Sequence, residues 1–342
     1  MNRRELSTLA ALTGIVLLLT IVMYNVRHQS GDQEYMGTLW LGDLDINSIS
    51  RIDLTGPGNM PLVALERRPE GWGVVQRQYY PANVGAIRSF LLDLSEAKLL
   101  ERKTSDPAQH AQLGLGSIDR LDALGQLVTL HFADGTRAVR IGTSPEGRNA
   151  TYVRDADDDQ GWLVDRDFTI PEEPRRWLDP DLLDIGMERV FRMEVVHPDG
   201  ERIEGQRAEE AGDVRFTVLN LPEGAMLKNE YALNRMASAI ASLSLEDVMP
   251  ASQAQVYLED AIRARYELYQ GYSLEAYLFS VDVERYARFV VHLGENMSDE
   301  DRAQAELLAR HLEDWAFRIP SFAYSSMALR WSDILEGDRD PE

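Results

Sequence analysis

The chain has 342 residues, with 57 Asp and Glu against 35 Lys and Arg, a net charge of −22, and no cysteine. An acidic surface of that size repels phosphate backbones and anionic headgroups, which argues against nucleic-acid binding, and a chain without thiols forms no disulfides. Its 44% apolar and 27% charged residues are values for a folded chain, and the length suits two domains of roughly 100–200 residues each.

Leu6 to Val26 contains no charged residue. A bilayer core about 30 Å thick needs about 20 apolar residues in one helix. Arg3, Arg4 and the amino terminus precede this stretch, while only Arg27 follows closely before acids begin at Asp32. The positive-inside bias therefore puts the N-terminus in the cytoplasm and the bulk of the chain in a periplasm. A cleaved signal peptide is the rival reading, but it needs a small-x-small site, and Tyr24-Asn25-Val26-Arg27-His28 offers none. Thr8, Thr13, Gly14 and Thr20 supply small or hydroxyl-bearing positions where a second membrane helix packs closely. Residues 1–28 are thus expected to be a cytoplasmic stub and anchor, lodged in the lipid bilayer through residues 6–26. Residues 29–44 follow as a polar spacer.

A first folded unit is expected over residues 45–185. Ile49 to Leu54 alternates apolar and polar residues, Leu62 to Arg67 continues after the turn Gly56-Pro57-Gly58-Asn59, and Gly71 to Val75 gives a third strand. Val84, Ile87, Leu91 and Leu94 then follow at spacings of three, four and three, which line one face of a helix behind Pro81. Leu127–Phe132 and Arg137–Ile141 flank Asp134-Gly135, a strong hairpin signal. Ala150–Val153 and Gly161–Val164 pair around an acidic loop, and Arg175 to Leu183 reads as a short helix.

The same order returns in residues 186–335. Val190–Val195, Arg202–Gly205 and Val214–Val218 repeat the three strands, and Leu233, Met236, Ile240 and Leu243 repeat the helical spacing. Tyrosine-rich strands follow at 264–269, 275–279 and 286–291. Ser298 and Asp301 open a helix in which Leu307, Leu308 and Leu312, with Trp315, are expected to face the core. Residues 336–342 are an acidic tail. Strand, strand, strand, helix, occurring twice, reads as an internal duplication. The expected fold class is α+β: a transmembrane helix, then two related units of antiparallel sheet with helices packed on one face.

Taken in order, Arg51-Ile52-Asp53-Leu54, Gly71-Trp72-Gly73-Val74, Pro81-Ala82-Asn83, Leu91-Leu92-Asp93-Leu94, Leu113-Gly114-Leu115 and Ala138-Val139-Arg140-Ile141-Gly142 resemble the domain of unknown function 4340 family. The likeness spans roughly residues 45–250. The family usually has a proline after the Leu-Gly-Leu step, where this chain has Gly116-Ser117. The resemblance implies a membrane-anchored bacterial protein of the kind often encoded beside ABC transporters of the gliding-motility type. It implies as partners the permease and ATPase subunits, or a related auxiliary protein, and it carries over no catalytic residue.

The residues themselves point away from catalysis and from a resident cofactor. Asp155, Asp157 and Asp159 alternate as calcium ligands do, but the loop has Gln160 and Arg166 where an EF-hand needs glycine and glutamate. His28, His110, His131, His197, His292 and His311 show no zinc-pair spacing, and there is no G-x-S-x-G elbow. Trp40 and Trp331 fall outside the periodic runs, and both are candidate partner contacts. The function expected is protein–protein binding as an accessory or scaffold subunit of an ABC-type transport system. The alternative is a periplasmic binder of polysaccharide or peptidoglycan fragments.

Overall fold

The computed structural model describes residues 35–208 and 215–336, together with Thr13, Val16 and Thr20. No helix among them is long and apolar enough to cross a membrane. Of the expected anchor, Thr13, Val16 and Thr20 are helical and exposed, and the Thr20 hydroxyl donates to the Val16 carbonyl one turn back. Thr8 and Gly14 lie outside the described residues, as does the tail beyond Glu336. The chain divides into two compact units, Met1–Trp177 and Leu178–Glu342.

The first unit contains strands β1 (Arg51–Gly56), β2 (Met60–Arg68), β3 (Gly71–Val74), β4 (Tyr80–Pro81), β5 (Leu99–Arg102), β6 (Gln126–Phe132), β7 (Gly135–Ile141), β8 (Thr151–Asp155) and β9 (Trp162–Val164). Its helices are α1 (Val84–Glu96) and α2 (Pro107–His110). Among the described residues these strands form one antiparallel sheet in the order β4-β3-β2-β1-β6-β7-β8-β9-β5. Ile52, Leu54, Val128, Leu130, Val139 and Ile141 are buried on one face, as strand alternation requires. On the other face Arg51 bonds Asp53 and Glu66 at 3.0 Å, and His131 Nε2 lies 2.7 Å from Asp53. Arg51–Glu66 and Asp53–His131 are cross-strand pairs that hold register on a solvated surface.

Asn83, not Pro81, caps α1, its side chain accepting from the Ala86 amide at 2.9 Å. Ile87, Leu91 and Leu94 are buried as the spacing predicts, while Val84 in the first turn is 54% exposed. Part of the expected spacer is folded. Gly37 donates to the Leu99 carbonyl, Leu99 to Thr38 and Trp40 to Ala97, so residues 37–40 pair with residues 97–99 at the entry to β5, and Leu41 is buried.

The second unit contains β10 (Asp181–Leu183), β11 (Val190–Val196), β12 (Arg202–Arg207), β13 (Phe216–Val218), β14 (Leu243–Ser244), β15 (Asp247–Pro250), β16 (Ile262–Leu268), β17 (Tyr272–Val281), β18 (Glu284–Leu293) and β19 (Trp315–Arg318). Its helices are α3 (Asn234–Ala237), α4 (Ala251–Ala254), α5 (Asp299–Leu312), α6 (Ser321–Met327) and α7 (Trp331–Ile334). The larger sheet runs β13-β12-β11-β16-β17-β18-β19-β15, and β10 pairs separately with β14. Because Asp181–Leu183 pairs with β14, the division falls at Trp177, not at 185/186. Arg175 to Leu183 is accordingly a 3₁₀ turn (Pro174–Trp177) followed by β10 rather than a helix.

Leu233, Met236, Ile240 and Leu243 are all buried, but no single helix carries them. The chain forms α3 and a 3₁₀ turn, then bends at Ser242 with φ +52° before β14. The Tyr266 hydroxyl, fully buried, donates to the Met236 carbonyl at 3.2 Å and so ties β16 to α3; burial raises its pKa. On α5 Leu312 is buried and Leu308 half-buried, but Leu307 is 64% exposed, and Trp315 begins β19 instead of facing the core from the helix.

His311, half-buried on α5, has its pKa lowered below 6.5, chiefly by burial and against the opposing charge of Asp179. The unfolded chain then binds more protons than the folded one as pH falls through about 6.5. Stability from this residue is full above that pH and lost below it. Denaturant melts at pH 7 and pH 5.5 should therefore show a shallower acid loss for His311→Gln than for the parent chain.

Candidate functional site

The first unit must bring its chain from the sheet edge at β5 back to the centre at β6, past β9, β8 and β7. The returning segment is α2, a 3₁₀ turn (Ala111–Leu113) and the loop through Gly125, with Leu115 and Ile118 fully buried. Contact is backbone to backbone. Thr143 donates to the Leu113 carbonyl at 3.0 Å, and a Cβ on Gly142 would lie 2.2 Å from that same oxygen. A Cβ on Gly125 would lie 2.2 Å from the Gly114 carbonyl and 2.6 Å from that of Ile141. Leu113-Gly114-Leu115 and Arg140-Ile141-Gly142, two of the pieces that carry the resemblance, therefore meet here.

Two arginines face each other under this loop, Arg140 on β7 opposite Arg154 on β8. Arg154 is buried and well satisfied. Its Nε donates to Leu115, and its Nη1 to the carbonyls of Asp155, Ala156 and Asp158 at 3.2, 3.3 and 2.6 Å. The acidic loop thus turns its carbonyl oxygens inward onto a guanidinium, which occupies the place a cation would take. Arg140 is half-buried, and its Nε and Nη1 are enclosed without a partner. Burial, then the neighbouring Arg154, lowers its pKa, with Asp119 opposing.

The same unit holds a groove of about 390 Å³ between α1 and the β2–β3 hairpin. Ile46, Trp72, Val84, Ile87, Leu91 and Leu92 make it apolar, and the charged groups lining it are Arg67 and Arg88. The Arg67 guanidinium sits 5.1 Å from the centre of the Trp72 ring and donates to the Asn47 carbonyl at 2.8 Å. In the second unit a cavity of about 380 Å³ is lined by Asp181–Asp184 and Ser242–Ser244.

Of the residues singled out from sequence, Trp40 lies in the first unit and Trp331 in the second. Trp40 is half-buried beside β5, held by its amide bond to Ala97. Trp331, also half-buried, opens α7; its amide donates to Glu201 at 2.5 Å, next to the Arg330–Asp199 ion pair at 2.8 Å. Trp72 and Trp177 are buried. His110 and His197 are buried against the carbonyls of Asp159 and Leu329, and His292 lies 3.0 Å from Glu275. Among the described residues no group of three or more His, Asp or Glu is placed to hold a metal ion. Sequence reasoning missed the Arg67–Trp72–Arg88 groove. The signal was present as basic residues beside an aromatic strand, but the meeting of α1 with the hairpin is not a local property.

The family described as Domain of unknown function (DUF4340) matches residues 72–261. The chain belongs to this family. The match begins at Trp72, takes in the Leu113-Gly114-Leu115 crossing and Arg140, and ends just before β16. No curated protein and no solved structure matches the chain.

Two substitutions separate the roles in the crossing. Gly125→Ala, which forces a Cβ into two carbonyls at φ +80°, should cost at least about 3 kcal/mol in denaturant melts. Arg154→Met should cost about 3 kcal/mol or more by leaving buried carbonyls unpaired, whereas Arg140→Met should be neutral or stabilising by about 1 kcal/mol.

Proposed function

We propose that the chain is a membrane-anchored periplasmic scaffold that acts by binding protein partners, as an accessory subunit of an ABC-type transport system. The uncharged stretch from residue 6 to 26 serves as the anchor, with the N-terminus cytoplasmic. The observation that carries this reading is the pairing of residues 37–40 with β5. If residue 26 ends the anchor, residues 27–36 alone join lipid to folded body, and ten residues reach at most about 35 Å. The first unit is then held against the membrane surface, within reach of a permease.

We further propose that the two units descend from one by duplication, each an antiparallel sheet with helices on one face. Support comes from the strand orders, β3-β2-β1-β6-β7-β8-β9-β5 and β13-β12-β11-β16-β17-β18-β19-β15, which correspond position by position once the two-residue β4 at the edge of the first sheet is set aside. Two short sequences recur at matching places. Pro107-Ala108 with Ala111-Gln112 and Pro250-Ala251 with Ala254-Gln255 each follow the edge strand. Arg176-Trp177-Leu178-Asp179 and Arg330-Trp331-Ser332-Asp333 each come after the last strand of a sheet. The carbonyl of Trp177 accepts from Asn83 just before α1, and that of Ile334 accepts from Lys228 shortly before α3. A duplicated body offers two similar surfaces, which suits a scaffold. Trp40 beside the tether and Trp331 at the closing turn are its candidate contacts.

Extraction of the full chain in mild detergent, followed by affinity purification, should recover a permease and an ATPase. A reporter fused at the C-terminus should be active outside the cytoplasm. Repeated recovery of the chain alone, or a reporter active only inside the cell, overturns the reading.

A further inference from the structure

We infer that the groove between α1 and the β2–β3 hairpin receives an acidic, amphipathic segment of a protein partner. The inference rests on the scaffold reading and names the chemistry of what is bound. Three features of the groove carry it: its apolar lining, its unpaired charges, and the contrast between those charges and the rest of the chain.

Trp72, Ile87 and Leu91 are buried below the surface, while Val84, more than half exposed, stands in the first turn of α1. A groove of about 390 Å³ has room for a few side chains, not for a domain. Arg67 lies on the hairpin wall and Arg88 on the helix wall, so a segment between them meets positive charge from both sides. Aromatic and arginine side chains around an apolar centre are the composition of binding hot spots.

Neither arginine has an acidic partner among the described residues. Among the described residues the Arg88 side chain makes no hydrogen bond or ion pair, and the Arg67 side chain meets only the Asn47 carbonyl and the Trp72 ring. Elsewhere in this unit Arg51, Arg120, Arg137 and Arg166 are ion-paired, while Arg102 bonds Gln160 and Arg140 is enclosed beside Arg154. In a chain with 57 acids and 35 bases, two arginines that line one groove without a carboxylate form a local positive site on a negative body. Guanidinium forks take carboxylates in fixed geometry.

Charge also selects the occupant. An anionic membrane presents its charge to the whole body of net −22 and is repelled by it, whereas a short acidic segment presents a few carboxylates to the groove alone. A second copy of this chain would bring the same excess of negative charge over its full surface.

The test uses the full chain in its own membrane, with the photoreactive residue p-benzoylphenylalanine replacing Val84. The adduct should map to a protein segment in which Asp or Glu alternate with apolar residues. Its yield should fall at least about tenfold with Arg67→Glu/Arg88→Glu, a loss of charge complementarity at the rim, and return when the acids of that segment are changed to Lys. Both arginines are exposed, so the variant should melt as the parent does; if it does not, Arg67→Gln/Arg88→Gln should give the same loss of yield. An adduct on phospholipid, on a second copy of this chain or on a segment without acids overturns the inference, as does no adduct or a yield indifferent to charge. If the permease and ATPase still co-purify while no adduct forms, the groove falls and the transporter reading stands. An acidic segment from an unrelated protein gives the reverse.

Discussion

The loop leaving α2 lies against β7 only because Gly114, Gly125 and Gly142 leave the space that two crossing backbones need. The strand order makes such a crossing unavoidable. With β5 at one edge and β6 in the centre, the chain between them must traverse three strands, and it has no long helix with which to do so. Close backbone approach substitutes for side-chain packing along that path, and Leu115 and Ile118 supply the burial. The second unit meets the same demand between β15 and β16 with α4 and a further 3₁₀ turn (Gln255–Tyr257), where Ala254 is fully buried.

The elements legible in the sequence were those whose period ran long enough to be counted. β1, β6, β7 and β11 appear where alternation places them, and Asp134-Gly135 marks the hairpin it promises. α1, thirteen residues long, shows its face at spacings of three and four. β5, β15 and β19 have four residues each and carry no countable period; they are strands because of what lies beside them. Around Leu233–Leu243 the spacing reported burial correctly and helix length wrongly. Apolar spacing records which side chains go inside, and Ser242 ends the helical path without disturbing that record.

Candidate site chemistry was less legible, because it depends on which charges find partners. Arg51 meets Glu66 and Asp53 meets His131 through sheet register across fifteen and seventy-eight positions. Arg88 looks no different in sequence from Arg51, yet among the described residues its side chain forms no ion pair. In the acidic loop, the sequence could not reveal that Arg154, immediately before it, gathers the carbonyls of Asp155, Ala156 and Asp158. Two turn sequences, Pro-Ala with Ala-Gln and Arg-Trp-x-Asp, each occur twice in the chain, and periodicity never inspects them.

Residues 37–40 have an effect on the sheet itself. An antiparallel sheet ends in a row of open amides and carbonyls, which templates pairing with other chains and, in the extreme, fibre growth. At the start of β5 that row is taken by the chain's own preceding segment, Gly37 and Thr38 pairing with Leu99 and Trp40 with Ala97 just before the strand. Trimming the chain back to its first full strand would strip this cover and leave β5 as a sticky margin. A truncated body prepared for crystallisation or binding work should for that reason begin before Gly37.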